Sequence, residues 1–321
     1  MVAILGVIWG ATFLLTEIAL TGLPPLWIAA GRIGFAMVLT VAVWRLRGGA
    51  LFLSERTAWP SLVLVGALAS AVPFTLLAWG QQYVTAGFAG VSMAGVALMV
   101  LPLAHFLVPG ERMHLRRAAG FLIGFLGVVL LIGGQAFASS GAALEPLGRA
   151  ACVAAAGCYA VSMVTMRRLP PVDPIGLAAV PLMVGSVVVI PAALVVEGVP
   201  PLPSAEILAV VALLGLVPTA GANLLRVLVI RSAGPVFMSL VNYQVPVWSV
   251  VLGVVLLGEP FEVSLLAAMG LILAGLLVSQ WGALKRLFGR RAETRPAECP
   301  TVGQVSAHEE SMTYRDGFTK R

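Results

Sequence analysis

The side chains best suited to chemistry in this chain are a few polar groups set inside long apolar runs. Pro246 lies midway along one run, 234–257, where a proline removes a backbone bond and frees the carbonyl of Asn242 four residues earlier. Ser239, Asn242 and Tyr243 share a helical face with it through three- and four-residue spacing. At 1.5 Å per residue, Asn242 falls about 12 Å into the run. Such a face is either the hydrogen-bonding wall of a solute cavity or a set of interhelical bonds. Asn223 and Arg226 lie in the run 205–230, and Gln81 holds the matching place at the end of 60–80. Arg226 either grips a carboxylate or phosphate, or snorkels to the nearby surface. Glu17 and Arg32 lie one to two turns inside neighbouring runs, where their charges can pair; Glu17 can alternatively bind a coupling proton. His105, close to Glu111, Arg112 and His114, titrates in the range a relay needs, with an ordinary interfacial role as the alternative. Trp9, Trp79 and Tyr159 are placed to line a cavity. So are Ser92 and Met93, beside a mostly apolar face made of Ser92, Gly95, Val96 and Met99.

The elements that hold these groups are set by hydropathy. Charged residues are 11% of the 321, against roughly 25% in a soluble domain, and the mean hydropathy is +1.00. Runs of about twenty apolar residues suit helices crossing a hydrocarbon core of about 30 Å. We read ten: 2–20, 26–44, 60–80, 85–108, 117–133, 149–166, 175–196, 205–230, 234–257 and 263–281. Barrel strands would alternate in polarity instead.

The net charge of +6 does not point to nucleic acid, because the cations are spread through loops and tail. They orient the chain. With the N-terminus in the cytoplasm, every Lys and Arg except Arg32, Arg149 and Arg226 falls in an inner loop or the tail. Both termini are therefore expected to be cytoplasmic. Cys152, Cys158 and Cys299 form neither a disulfide framework nor a metal spacing. No GxxxxGK[ST] phosphate loop occurs, and no cofactor is expected. The first run lacks a basic n-region and a cleavage site, so it reads as a retained helix. The tail 282–321 is basic and poor in aromatics, which suits disorder or attachment to the membrane surface.

The chain repeats. Leu23-Pro24-Pro25 recurs 146 residues later as Leu169-Pro170-Pro171, and Pro73 has its counterpart in Pro218. Thr85-Ala86-Gly87 answers to Ser232-Ala233-Gly234, and Gly110-Glu111 to Gly258-Glu259. Five runs per half is an odd number, so the second half must enter the bilayer inverted, an arrangement that puts a solute site near the midplane. The halves are 1–133 and 149–281, joined by 134–148; Pro73, Pro218 and Pro246 are the candidate hinges.

The order Trp9-Gly10, Pro25 then Arg32, Gly234-Pro235 then Pro246, and Gly258-Glu259-Pro260 resembles an EamA-type member of the drug/metabolite transporter superfamily over residues 1–281. That resemblance implies an all-α, ten-helix carrier of two repeats, often an exporter of amino acids, metabolites or drugs, working by alternating access. The expected partners are the lipid bilayer, a small solute and, in one arrangement, a second copy in a homodimer. The expected location is a bacterial cytoplasmic membrane. An importer of the same fold, and a membrane-embedded enzyme acting on lipid or isoprenoid substrates, are the alternatives.

Overall fold

Backbone N–H and C=O groups have no water to bond in hydrocarbon, so an apolar run satisfies them by coiling into a helix. The computed structural model describes residues 2–48, 59–108, 114–133, 143–169, 173–200, 202–225, 241–259 and 263–289. Within them ten helices follow in order: α1 Val2–Leu20, α2 Pro25–Leu46, α3 Trp59–Gly80, α4 Ala86–Leu107, α5 Leu115–Gly133, α6 Glu145–Arg167, α7 Pro174–Val196, α8 Ala205–Leu225, α9 Val241–Leu257 and α10 Val263–Gly289. Eight of these are long and apolar enough to cross a membrane by length and composition; α5 and the 17-residue α9 complete the ten. Large apolar side chains such as Val38, Leu126, Val187 and Val255 are exposed along them, a surface suited to lipid rather than water. This is an all-helical membrane protein.

Local signals set the helix ends. Thr85, Asp173 and Ser204 accept N-cap bonds from the backbone N–H groups of Phe88, Gly176 and Ile207. Prolines occupy the first turns of α2, α6 and α7. Helix α6 starts at Glu145, earlier than the expected 149, because Glu145 and Arg149 form a buried ion pair across its first turn.

Helices α3 and α8 are not uniform. Each widens into π-helical turns, Ala67–Ala71 and Gly215–Gly221, next to or across Pro73 and Pro218. A proline has no N–H to give the α-ladder, and the longer π-repeat takes up the mismatch. Thr219 repairs part of the ladder, its Oγ donating to the Leu214 carbonyl at 2.8 Å.

The helices interlock. Helix α1 packs on α8 and α9, α2 on α7 and α8, α3 on α6 and α7, and α4 on α6 and α9. Helix α5 meets α10 backbone to backbone through Gly120, Gly124 and Gly275, and Gly6 and Gly10 admit α9 side chains against α1. Exchanging helices one to five for six to ten leaves these pairings unchanged: α4 on α6 becomes α9 on α1, α3 on α7 becomes α8 on α2, and α2–α7, α4–α9 and α5–α10 map onto themselves. Contacts divide the chain into Met1–Leu284 and Lys285–Arg321. The second unit is described only as far as the end of α10, so the expectation for the tail falls largely outside the described residues.

Candidate functional site

Arg32, two turns into α2, is buried at 9% exposure. Its Nε donates to Thr219 Oγ at 2.8 Å, and its guanidinium lies 3.8 Å from the centre of the Phe74 ring, a cation–π contact. Thr219 belongs to the π turns of α8, and Phe74 follows those of α3. Both irregular segments therefore aim side chains at one cation. Tyr159 of α6 packs at 6.5 Å from Phe74. A cavity opens beside Arg32, lined by Thr12, Phe13 and Thr16 of α1, Ile28 and Ala29 of α2, and Phe74, Leu77, Ala78 and Gln81 of α3 and its C-terminus. Gln81 is buried. Its Nε2 donates to the Phe13 carbonyl at 2.9 Å, leaving Oε1 buried without a donor. The hydroxyls of Thr12 and Thr16 turn back to carbonyls of their own helix.

Trp9 reaches the same π segment, its indole N–H donating to the Pro218 carbonyl at 2.9 Å. Asn223 donates to the Thr219 carbonyl one turn earlier. These contacts join Trp9, Arg32, Gln81, Tyr159 and Asn223 in one connected region. Trp79 packs edge-on against Tyr83 at 5.1 Å. Ser92 is buried with its hydroxyl on the Phe88 carbonyl, and Met93 packs against the largest apolar core. Along their described lengths α4 and α9 touch: a Cβ on Gly90 would overlap Ser249. Cavity space lies among α1, α2 and α3. Pro246 is buried in α9, and its carbonyl accepts from Ser249 Oγ at 2.9 Å. Arg226 and Ser239 lie outside the described residues, as do the side chains of Asn242 and Tyr243.

The expected Glu17–Arg32 pair does not form among the described residues: Arg32 turns to Thr219, while Glu17 faces the Ala86 N–H and the charge of Glu259. One oxygen of Glu17 is buried without a hydrogen bond. His105 is exposed near the far end of α4, stacked edge-on to Phe106. Nineteen residues separate it from Ala86, about 28 Å of helix, so it does not join the Glu17 group.

Two carboxylates cap helices from the other half of the chain: Glu197, which the sequence did not single out, and Glu259, which it marked only as part of a recurring Gly-Glu doublet. Glu197, just beyond α7, accepts from the Leu26 and Trp27 N–H groups in the first turn of α2 at 3.0 and 3.1 Å. The Trp27 indole donates to the Gly198 carbonyl at 3.0 Å, where a φ of +75° turns the chain. Glu259, just beyond α9, accepts from the Ala86 and Gly87 N–H groups at the start of α4, at 2.5 and 3.1 Å. Gly258 at φ +68° swings Glu259 into place, and Gly253 leaves the room its carboxylate fills. Burial pushes the Glu259 carboxyl above the usual carboxylate range, against the opposing pull of the Gly87 and Ala86 N–H groups. A carboxylate at a helix N-terminus contributes about 0.3–1 kcal/mol when exposed and up to about 2 when partly buried. A signal for this was present: the Gly-Glu doublets and the Thr/Ser-Ala-Gly starts both recur in the two halves, and here one half's doublet caps the other half's start.

Comparison with known proteins gives a consistent result. Residues 1–133 and 147–280 each match the model of the EamA-like transporter family, the second match starting 146 residues after the first (residue 147 against residue 1). The uncharacterized inner membrane transporter YedA of Escherichia coli K12 is 28% identical over 304 residues, 94% of each chain. The uncharacterized transporter YvbV of Bacillus subtilis is 25% identical over 281 residues, 86% of this chain and 89% of its own. Protein PagO of Salmonella typhimurium matches only 116 residues at 28%, covering 36% of this chain and 37% of PagO. A crystal structure matches with a TM-score of 0.64 over 91% of this chain and 98% of its own; at 23% identity it speaks to the fold alone.

Proposed function

Because this chain belongs to the EamA-like transporter family, we propose that it moves a small solute across a bacterial cytoplasmic membrane by alternating access, in the direction of export. Residues 1–133 and 149–281 form two inverted five-helix repeats with both termini in the cytoplasm, and the tail 282–321 stays on that side. On this topology the α1–α2, α3–α4, α7–α8 and α9–α10 connections face outward. The observation that carries the reading is the capping of two first-repeat helices, α2 and α4, by second-repeat Glu197 and Glu259. These bonds tie the repeats together at the outer end, so an outward-open state has to part them. Exchange-symmetric packing supports the same reading, since a symmetric framework offers two equivalent ways to open. The region around Arg32, Gln81, Trp9, Tyr159 and Asn223 is the solute site; Glu17, beside Glu259, carries the coupling proton.

The test is an untargeted comparison of solutes released by cells with and without the protein, followed by transport of each differing solute into and out of vesicles. One solute released faster with the protein, and exchanged by it in vesicles, supports export. An unchanged profile of released solutes overturns it, and a solute depleted from the medium instead makes the chain an importer.

A further inference from the structure

Matching residues of the two repeats meet on one side chain that has no match of its own. Phe74 and Thr219 each follow a hinge proline, Pro73 and Pro218, just after the π turns of α3 and within those of α8. Both touch Arg32. Thr219 Oγ accepts from Nε at 2.8 Å, and the centre of the Phe74 ring lies 3.8 Å from Cζ. All three residues are buried, so the cation–π contact and the hydrogen bond are shielded from water. The place on α7 that matches Arg32, 146 residues on, holds Ala178, whose methyl group can make neither contact. The helix pairings survive exchange of the repeats; this arginine does not.

A guanidinium is a rigid plane whose Nε–H points from its edge and leaves a face for the ring. Turning that plane to follow Thr219 lifts it from Phe74, and the reverse holds too. The base of the side chain is also fixed. Gly215, the first residue of the α8 π turns, lies so close to α2 that a Cβ there would meet the Arg32 carbonyl oxygen at 2.7 Å. The α3 π turns have a corresponding seat, where Ser70 Oγ donates to the Pro181 carbonyl of α7 at 3.1 Å. Each hinge thus rests on the second helix of the opposite repeat, and Arg32 joins the two. We propose that Arg32 is a positioning residue that couples the hinges, so that the π turns of α3 and α8 rearrange together. Hinges that moved independently would let a carrier open at both ends at once. The consequence for transport rests on the reading above: a solute entering the cavity beside Arg32 disturbs both contacts and frees both hinges in one step.

The test is amide hydrogen exchange of the full chain in nanodiscs, read by mass spectrometry on peptides that span the two sets of π turns. Phe74→Leu removes the ring from Arg32 and should quicken exchange within 215–221, on the other hinge, by about threefold or more. Thr219→Val should quicken exchange within 67–71 in the same way. In an Arg32→Met background each substitution should act on its own helix alone, the signature of a shared link in a double-mutant cycle. Arg32→Lys, which keeps the charge and loses the plane, should also stop the transmission. Exchange along α5, which packs on α4 and α10, is the control and should not move. Exchange within 215–221 that ignores Phe74→Leu overturns the coupling. So does an equal rise in the Arg32→Met background, or a rise that extends to α5. If the hinges answer separately while cells still release a solute through the protein, the coupling falls and transport stands. If they answer together while no solute moves, the coupling stands and the transport reading falls.

Discussion

Glu259 shows how a single side chain can link the end of the bundle that the proposed topology places outside to pH. Its carboxyl is raised above the ordinary range by burial in the closed arrangement, and parting of the helices would return it to water and to the ordinary carboxylate range. The closed state therefore holds its proton more tightly than the open one. By linkage, protonation favours closure, and closure weakens as pH rises through the window above the ordinary value. The charged group that faces it is Glu17 of α1, across the start of α4. With Ala29→Cys as a reporter inside the cavity, labelling from outside by an impermeant thiol reagent should be faster at pH 8 than at pH 5. Glu259→Gln should remain slow at both. Labelling that accelerates on acidification would reverse the assigned sign. Thr219→Val makes a separate prediction: Arg32 Nε loses its acceptor and the Leu214 carbonyl its donor, costing about 1–3 kcal/mol in denaturant unfolding. Of this chemistry, the sequence made Arg32, Gln81 and Glu17 visible, because a charge or amide stands out in an apolar run. It hid Thr12, Thr16, Thr219 and Phe74, whose types are ordinary in membrane helices. Which of them face Arg32 is decided by helix rotation, and hydropathy carries no record of that.

At the scale of the helix, glycine spacing and proline placement divide what was legible from what was not. The spans and the close-packing glycines follow from composition. On α10, Gly275 and Gly270 have opposite surroundings. A Cβ on Gly275 would meet backbone of α5, with the Gly120 carbonyl oxygen at 2.5 Å, while exposed Gly270 has nothing within 4 Å. Gly275→Ala should therefore cost about 1–3 kcal/mol, since a backbone wall cannot rotate away. Gly270→Ala should gain up to about 1 kcal/mol from helix propensity. Unfolding of both variants in the same detergent checks the pair, and equal effects would deny the α5–α10 contact. The π turns were not legible. An i→i+5 repeat leaves the hydrophobic pattern almost unchanged, and Pro73 and Pro218 marked only where a ladder must break.

For the whole molecule, the repeat was readable from paired motifs, whereas the interlocking was not, because two halves side by side would give the same sequence signal. The closure by Glu197, which the proposed topology places outside, makes the testable difference. With the native cysteines replaced, Leu26→Cys and Glu197→Cys stand where α2 and the end of α7 are hydrogen-bonded. A short thiol cross-linker there should stop solute release, and a cleavable version should restore it on reduction. Undiminished release by the cross-linked protein would mean that this end never opens. The π turns in α3 impose a different constraint, on chain length. A π turn holds one residue more than an α turn, so closing this stretch to α-helical register with every residue kept would turn the following segment by about 100°. Phe74, Leu77 and Gln81 would then leave the wall beside Arg32 without any of them being altered. Removing one residue within 67–71 as the turns close takes up the extra residue and leaves that wall in place, so this stretch of α3 tolerates a deletion that elsewhere in the helix would rewrite the cavity.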